Sequence, residues 1–180
     1  MDVVDAACDL IGRRIFVAHD DGTLRSGMIV ETEAYGGPED LASHAAFKPN
    51  GRAAVMSGKP GVVYVYAAYG MYPCLNIVTG PEGTPSAVLV RGVWLDGDAL
   101  PTLGPGRTTR ALGVTLADHG RRLGERLSVS AARQLLEVTV SPRVGITRGV
   151  ETPWRFVAIN LAAGGMIEPD GHNDADSQTH

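Results

Sequence analysis

Cysteine and lysine are nearly missing from this chain. Its 180 residues include two cysteines, Cys8 and Cys74, and two lysines, Lys48 and Lys59. Two isolated cysteines exclude a disulfide framework and suit a reducing interior. Neither cysteine has a Cys partner nearby, and His19, His119, His172 and His180 show no metal-ligand spacing. A zinc site built on Glu31, Glu33 and His44 therefore fails, and no metal is expected. No Ser stands in a Gly-x-Ser-x-Gly turn, which removes the nucleophile elbow of serine hydrolases. Phosphate loops and dinucleotide fingerprints are lacking too, since Gly104-Pro105-Gly106 has neither the preceding strand nor the spacing. No cofactor is expected.

Long apolar runs are equally scarce. The 22 residues from Pro60 to Pro81 carry no charge, but Gly70 and Pro73 interrupt them and Tyr64, Tyr66, Tyr69 and Tyr72 stud them. The alternation Val63-Tyr64-Val65-Tyr66 is strand-like, so a membrane span is rejected. The start, Met1-Asp2-Val3-Val4-Asp5, is acidic where a secretory or organellar signal would be basic. The expected location is the cytoplasm of a bacterial-type cell.

What remains is the composition of one folded domain, with 44% hydrophobic and 20% charged residues. The 23 glycines and 11 prolines favour turns and short elements over a helical bundle. Net charge is -4, yet the distribution is uneven. Residues 1–40 carry nine acids and three bases, whereas residues 101–166 carry four acids and nine bases, all arginine. The stretch 167–180 is acidic, with no base. Residues 1–166 are read as the domain and 167–180 as a disordered tail. Arginine suits bidentate phosphate contacts, but an arginine-biased genome explains the count equally well.

The local pattern predicts a helix over 2–11 with Asp2 as N-cap, and strands over 14–18 and 24–35 around Asp20-Asp21-Gly22. A short helix is expected from Pro38 through His44. Two strands should meet near Tyr69-Gly70-Met71, with a third over 87–93. Further helices are predicted over 105–112 and 131–136, and strands over 138–140, 143–147 and 154–159. The sum is an α+β fold: one compact domain around a mostly antiparallel sheet.

Chemistry is suggested at two places. On the strand leading to Tyr35, side chains alternate, so Glu31, Glu33 and Tyr35 share a face. One carboxylate there suits a general base, although a solvated strand face is the commoner meaning of Glu-x-Glu. His44 by itself is more often a structural histidine. The tyrosine cluster is the second place. Core packing explains Tyr64 or Tyr66, but it explains poorly an aromatic at a hairpin tip, which suits stacking against nucleic-acid bases. Asn76 and Arg91 interrupt apolar runs and need partners there.

Taken together, these residues resemble the alkyladenine (3-methyladenine) DNA glycosylase family. Its signature is matched by Glu31-Thr32-Glu33-Ala34-Tyr35-Gly36-Gly37-Pro38-Glu39-Asp40-Leu41-Ala42-Ser43-His44, and its intercalating hairpin by Tyr64 through Asn76. Arg91, Gly104-Pro105-Gly106-Arg107 and Pro153-Trp154-Arg155-Phe156 also fit, and the likeness runs from Ala6 to about Ala163. One departure is that Arg52 is followed by Ala53, where the family usually carries Asn.

The resemblance implies a curved antiparallel sheet with short helices and a protruding β-hairpin. It implies hydrolytic excision of damaged purines (3-methyladenine, 7-methylguanine, hypoxanthine, ethenoadenine) from double-stranded DNA. A monofunctional enzyme is expected, because Lys48 and Lys59, the side-chain amines that could form a Schiff base, lie outside both motif runs, and a monomer is expected. Glu33 would activate water and Arg91 would help hold it. Tyr35, His44 and Tyr66 would sandwich the flipped base, Ala42 and His44 would read its edge, and Asn76 would disfavour normal guanine. Tyr69 would fill the gap in the duplex, with Met71 and Tyr72 beside it. Such an enzyme must extrude the base, and an aromatic slot plus a wedge offsets the unstacking. Two rivals need fewer of these residues. A non-catalytic nucleic-acid module has no use for Glu33, and a small-molecule hydrolase has none for Tyr69.

Overall fold

The computed structural model describes residues 1–161. The last residues of the expected domain and the tail 167–180 lie outside the described residues. Helix α1 (Val3–Leu10) begins on the Asp2 carboxylate, as its N-capping chemistry requires. Strands β1 (Arg13–Ala18) and β2 (Leu24–Tyr35) follow and pair antiparallel. A turn segment leads to the short α2 (His44–Phe47) and a 3-10 helix over Gly51–Ser57. Then come β3 (Val63–Ala68), β4 (Tyr72–Val78), β5 (Ala87–Leu95), the brief β6 (Thr102–Leu103) and α3 (Pro105–Leu112). Strands β7 (Leu127–Arg133), β8 (Glu137–Ser141) and β9 (Arg155–Ile159) complete the order.

All described pairings are antiparallel and belong to one sheet of nine strands, with the central path β3-β4-β5-β2-β1-β7. Strand β2 is its hub. Residues Glu31 to Glu33 pair with β9, while the length from Gly27 to Tyr35 pairs with β5. One face of β2 sends Val30 and Ala34 into the main core with Ile15, Val90 and α1 residues Ala6 and Ala7. Thr32, on that face, donates from Oγ1 to the Ala7 carbonyl at 2.8 Å, which docks α1 on the sheet. The other face carries Glu31, Glu33 and Tyr35. A strand paired on both edges and buried on both faces is the most rigid platform this fold offers.

The β2–β5 register shifts around Glu31, bringing Gly92 opposite it. A Cβ on Gly92 would lie 2.9 Å from both Glu31 Cβ and Leu103 Cδ2, so only glycine allows that approach. A smaller apolar cluster of Ala45, Ala53, Met56, Tyr64, Val78 and Ala87 lies beneath α2 and the 3-10 helix. Ala53, the departure from the family pattern, packs inside it.

Three local expectations are corrected. Residues 38–43 form turns, and the helix begins at His44 with Ser43 as N-cap, so His44 opens the helix instead of ending it. The Asp40 carboxylate accepts from Gly36 N–H (2.9 Å) and Ala42 N–H (3.2 Å), and such local bonds compete with helix. Residues 131–133 belong to β7 instead of a helix, because pairing with β1 and the Arg13 guanidinium on the Ser130 carbonyl (2.9 Å) override helix propensity. Residues 143–147 form an irregular loop and not a strand, with the Arg143 side chain committed to Asp40 and the Val144 N–H to Glu33. Among the described residues no helix is long and apolar enough to cross a membrane.

Candidate active site

A cleft of about 850 Å³ opens on the carboxylate face of β2. Its lining brings together Glu33, Tyr35, Ala42 and His44 from one run of chain, Tyr66, Tyr69 and Asn76 from a second, and Arg91 from β5. Met71 and Tyr72 do not line it. They stand exposed beside Tyr69 on the β3–β4 hairpin, and Tyr72 borders a second, smaller groove of about 260 Å³ against Gly104 to Arg107.

Glu33 is fully buried, and both of its oxygens are held. Oε1 accepts from the Val144 N–H at 2.9 Å, and Oε2 accepts from the Tyr35 hydroxyl at 2.7 Å. Arg91 Nε is 3.7 Å from Glu33 Oε1, but its hydrogen bond goes to Glu31 Oε1 at 2.8 Å. Glu31 Oε1 also accepts from Arg155 Nε at 2.7 Å. The two carboxylates of β2 thus differ in kind. Glu31 is neutralised by two guanidinium groups, whereas Glu33 is held mainly by uncharged donors and lines the cleft. Burial, with Glu33 nearby, pushes the Tyr35 phenol up, so it remains a proton donor to that carboxylate.

The cleft walls are aromatic. His44 packs edge-on against Tyr66 with centroids 4.5 Å apart, and Tyr64 and Tyr66 share a face of β3 at 5.5 Å. The Tyr64 hydroxyl, not foreseen in the sequence, lies 2.8 Å from His44 Nδ1 and fixes the ring. Burial, helped by the Lys48 charge, pushes His44 below its ordinary value, so the imidazole is neutral near pH 7. Burial likewise raises the Tyr66 phenol, with Cys74 and Tyr64 adding to it. Asn76 is buried, and its Nδ2 donates to the carbonyls of Tyr64 and Cys74, both at 3.1 Å. These bonds satisfy the amide that interrupted an apolar strand and lock its orientation in the cleft.

Tyr69 is 87% exposed, the extreme case among the large hydrophobic side chains of the described residues. Its φ of 51° and the 73° of Gly70 occupy the two centre positions of a turn closed by Met71 N–H on the Ala68 carbonyl at 3.1 Å. Positive φ at both positions matches the strand twist of a tight hairpin. For a bulky residue this region costs about 1–2 kcal/mol. A strained, exposed aromatic at a tip is poor use of a tyrosine for folding alone.

Lys48 lies in neither of the motif runs 31–44 and 64–76. The structure places it on the lining, exposed, near Arg52 and Arg148, so the mouth of the cleft is basic although the chain is acidic. Arg143, Val144 and Tyr64 are the contributors that sequence reasoning missed. The segment 143–147 reads as a plain strand with no motif that points to a site, and Tyr64 reads only as a core aromatic.

Comparison with known proteins agrees with this geometry. The model of the family described as methylpurine-DNA glycosylase matches residues 1–161. A relative from an Anaeromyxobacter species, provisionally named 3-methyladenine DNA glycosylase, is 46% identical over 162 residues, covering 86% of this chain and 83% of its own. Proteins of the same provisional name from Chlamydia pneumoniae and Bacillus cereus are each 38% identical, covering 87% and 86% of this chain and 89% and 90% of their own lengths. With a sheet, a cleft and a hairpin of this form, the chain belongs to the methylpurine-DNA glycosylase family, whose members are DNA glycosylases.

Proposed function

We propose that the protein extrudes alkylated or deaminated purines from duplex DNA and hydrolyses their N-glycosidic bond with water activated by Glu33. The reading rests chiefly on the buried Glu33 carboxylate lining an aromatic cleft whose rim carries an 87% exposed tyrosine. A purine needs an aromatic slot, and a sugar acquiring oxocarbenium character needs a carboxylate nearby. Glu33 supplies both a proton acceptor and the opposing charge, while Arg91, anchored on Glu31, helps hold the water. Tyr35 forms one wall for the base, and His44 with Tyr66 forms the other. A neutral His44 removes a like charge from beside a cationic methylated base, and each ring contributes roughly 0.5–2 kcal/mol of cation–π attraction.

Edge reading falls to the backbone at Ala42 and His44. The Ala42 N–H is already taken by Asp40, so the Ala42 carbonyl is the group offered there. Asn76 is tied to two carbonyls and cannot swing aside for the exocyclic amine of normal guanine. Tyr69 enters the gap left by the flipped nucleotide, with Met71 and Tyr72 alongside it. The product is an abasic site on an uncut strand, released by a monomer.

A duplex with one hypoxanthine, incubated with excess enzyme and then treated with alkali, tests this directly. Alkali-dependent scission at the lesion is the expected result. Tight binding without scission would favour a non-catalytic module, and neither binding nor scission would favour a small-molecule hydrolase.

A further inference from the structure

Arg143 lies behind the cleft and is not part of its lining, yet it is the most deeply buried cation among the described residues. Its side chain has no exposure. Nη1 donates to Asp40 Oδ2 at 2.6 Å and to the Ala34 carbonyl at 2.8 Å, and Nη2 donates to Asp40 Oδ1 at 2.7 Å. The guanidinium is stacked between the rings of Tyr35 (4.8 Å to the centroid) and Trp154 (5.2 Å). Its Nε is buried with no hydrogen-bond partner among the described residues. Burying a charge and leaving one donor unmet costs stability, and an apolar pair of similar volume often packs as well or better. Folding alone is therefore a weak reason for this pair.

The contacts of Arg143 converge on Glu33 by two routes. The residue after it, Val144, supplies the N–H on Glu33 Oε1 at 2.9 Å. The ring beneath its guanidinium, Tyr35, supplies the hydroxyl on Glu33 Oε2 at 2.7 Å. Its partner Asp40 in turn holds the amides of Gly36 and Ala42, on the turn that carries the edge-reading segment. Burial works to raise the Asp40 carboxyl, but the Arg143 hydrogen bonds, the Gly36 amide and the Arg143 charge outweigh it and hold the group below its ordinary value. The pair therefore stays ionised through the neutral range.

We propose that Arg143, clamped by Asp40, is the positioning residue for Glu33, setting both donors that hold the carboxylate toward the cleft. The inference rests on the reading of Glu33 as the base. A lysine at 143 keeps the charge but lacks the planar fork that can grip Asp40 and stack on two rings at once. The Val144 amide and the Tyr35 hydroxyl then lose their alignment, and the ionised form of Glu33 is less stabilised.

The other groups facing Glu33 stay in place. They are Arg91 on β5, Tyr66 on β3 and Cys74 on β4, with the Glu31–Arg155 pair beside it.

The test is the pH profile of single-turnover hypoxanthine excision by wild type, Arg143→Lys and the double variant Asp40→Asn/Arg143→Gln. The double variant leaves no uncompensated buried charge, so it serves if the single variant does not fold. Affinity for an abasic-site duplex reports the folded fraction. The expected result is an acid limb moved to higher pH by about one unit, the equivalent of one hydrogen bond to a charged group, with a plateau rate down roughly tenfold. Abasic-duplex affinity should change by less than about threefold, well under one such bond. A rate lost uniformly across pH, with the acid limb at the wild-type position, would mean that Arg143 only supports the fold and would overturn the proposal. A full rate in both variants would overturn it equally. A wild-type profile without an acid limb, or Glu33→Gln at full rate, would instead remove the base reading, and the clamp with it.

Discussion

Glu33→Gln should separate chemistry from folding, because of how each oxygen is held. The glutamine carbonyl can still accept from Val144 N–H, as Glu33 Oε1 does at 2.9 Å, and the Tyr35 hydroxyl can rotate to accept from the amide nitrogen. Arg91 keeps its hydrogen bond to Glu31 at 2.8 Å, so no cation is stranded. The folded state should lose less than about 2 kcal/mol, within the ordinary span of single substitutions. Excision should fall by roughly 100-fold to 10,000-fold, the scale of a lost general base, or about 3–5 kcal/mol of barrier.

Glu31→Gln should do the reverse. Its Oε1 is shared by Arg91 and Arg155 at 2.8 and 2.7 Å, and losing the charge leaves two guanidinium groups under-compensated near the sheet centre. Removing a buried partner outright costs about 3–5 kcal/mol. Glutamine still accepts, so about 2–3 kcal/mol is expected, or roughly 4–12 °C in Tm for a chain of this size. Paired measurements of single-turnover excision and thermal melting decide the matter. Wild-type excision by Glu33→Gln, with Glu31→Gln inactive at unchanged Tm, would show that the two glutamates had been assigned the wrong way round.

The hairpin tip and the lysine question give two further predictions. Tyr69→Gly should leave Tm within a few degrees, since relief of left-handed strain (about 1–2 kcal/mol) and the extra freedom of unfolded glycine (about 0.5–1 kcal/mol) oppose each other. Its affinity for an abasic duplex should fall, and a lower Tm with unchanged affinity would mean that Tyr69 is packed in the free protein. Borohydride added during turnover should trap no enzyme–DNA adduct, because a water nucleophile leaves no covalent link. Lys48 lines the cleft, so the experiment discriminates. A trapped adduct that vanished in Lys48→Ala would replace the water mechanism with a Schiff base.

Much of this site was legible before folding because it lies in two continuous runs. Residues 31–44 and 64–76 each carry several site groups at fixed spacing, and strand alternation alone places Glu31, Glu33 and Tyr35 on one face. The hairpin was legible for a similar local reason, since Gly70 marks a turn flanked by alternating apolar residues. Helix α3 was read to its ends because Pro105 opens it and Gly113, at φ 71°, closes it.

The groups that escaped the sequence are those whose partners lie far along the chain. Nothing local says that Arg143 meets Asp40, 103 residues away, or that the Val144 amide meets Glu33, 111 residues away. Both contacts exist because β9 docks on β2 and returns the preceding loop beside Tyr35. The turn at 38–43 departs from the expected helix for the same reason, since helix signals describe a chain by itself and a carboxylate bound to a distant guanidinium no longer obeys them. Which glutamate is neutralised and which is left for chemistry also waited on packing. Two carboxylates two residues apart on one strand are equivalent by pattern. Only the convergence of Arg91 and Arg155 on Glu31, and of uncharged donors on Glu33, makes them different.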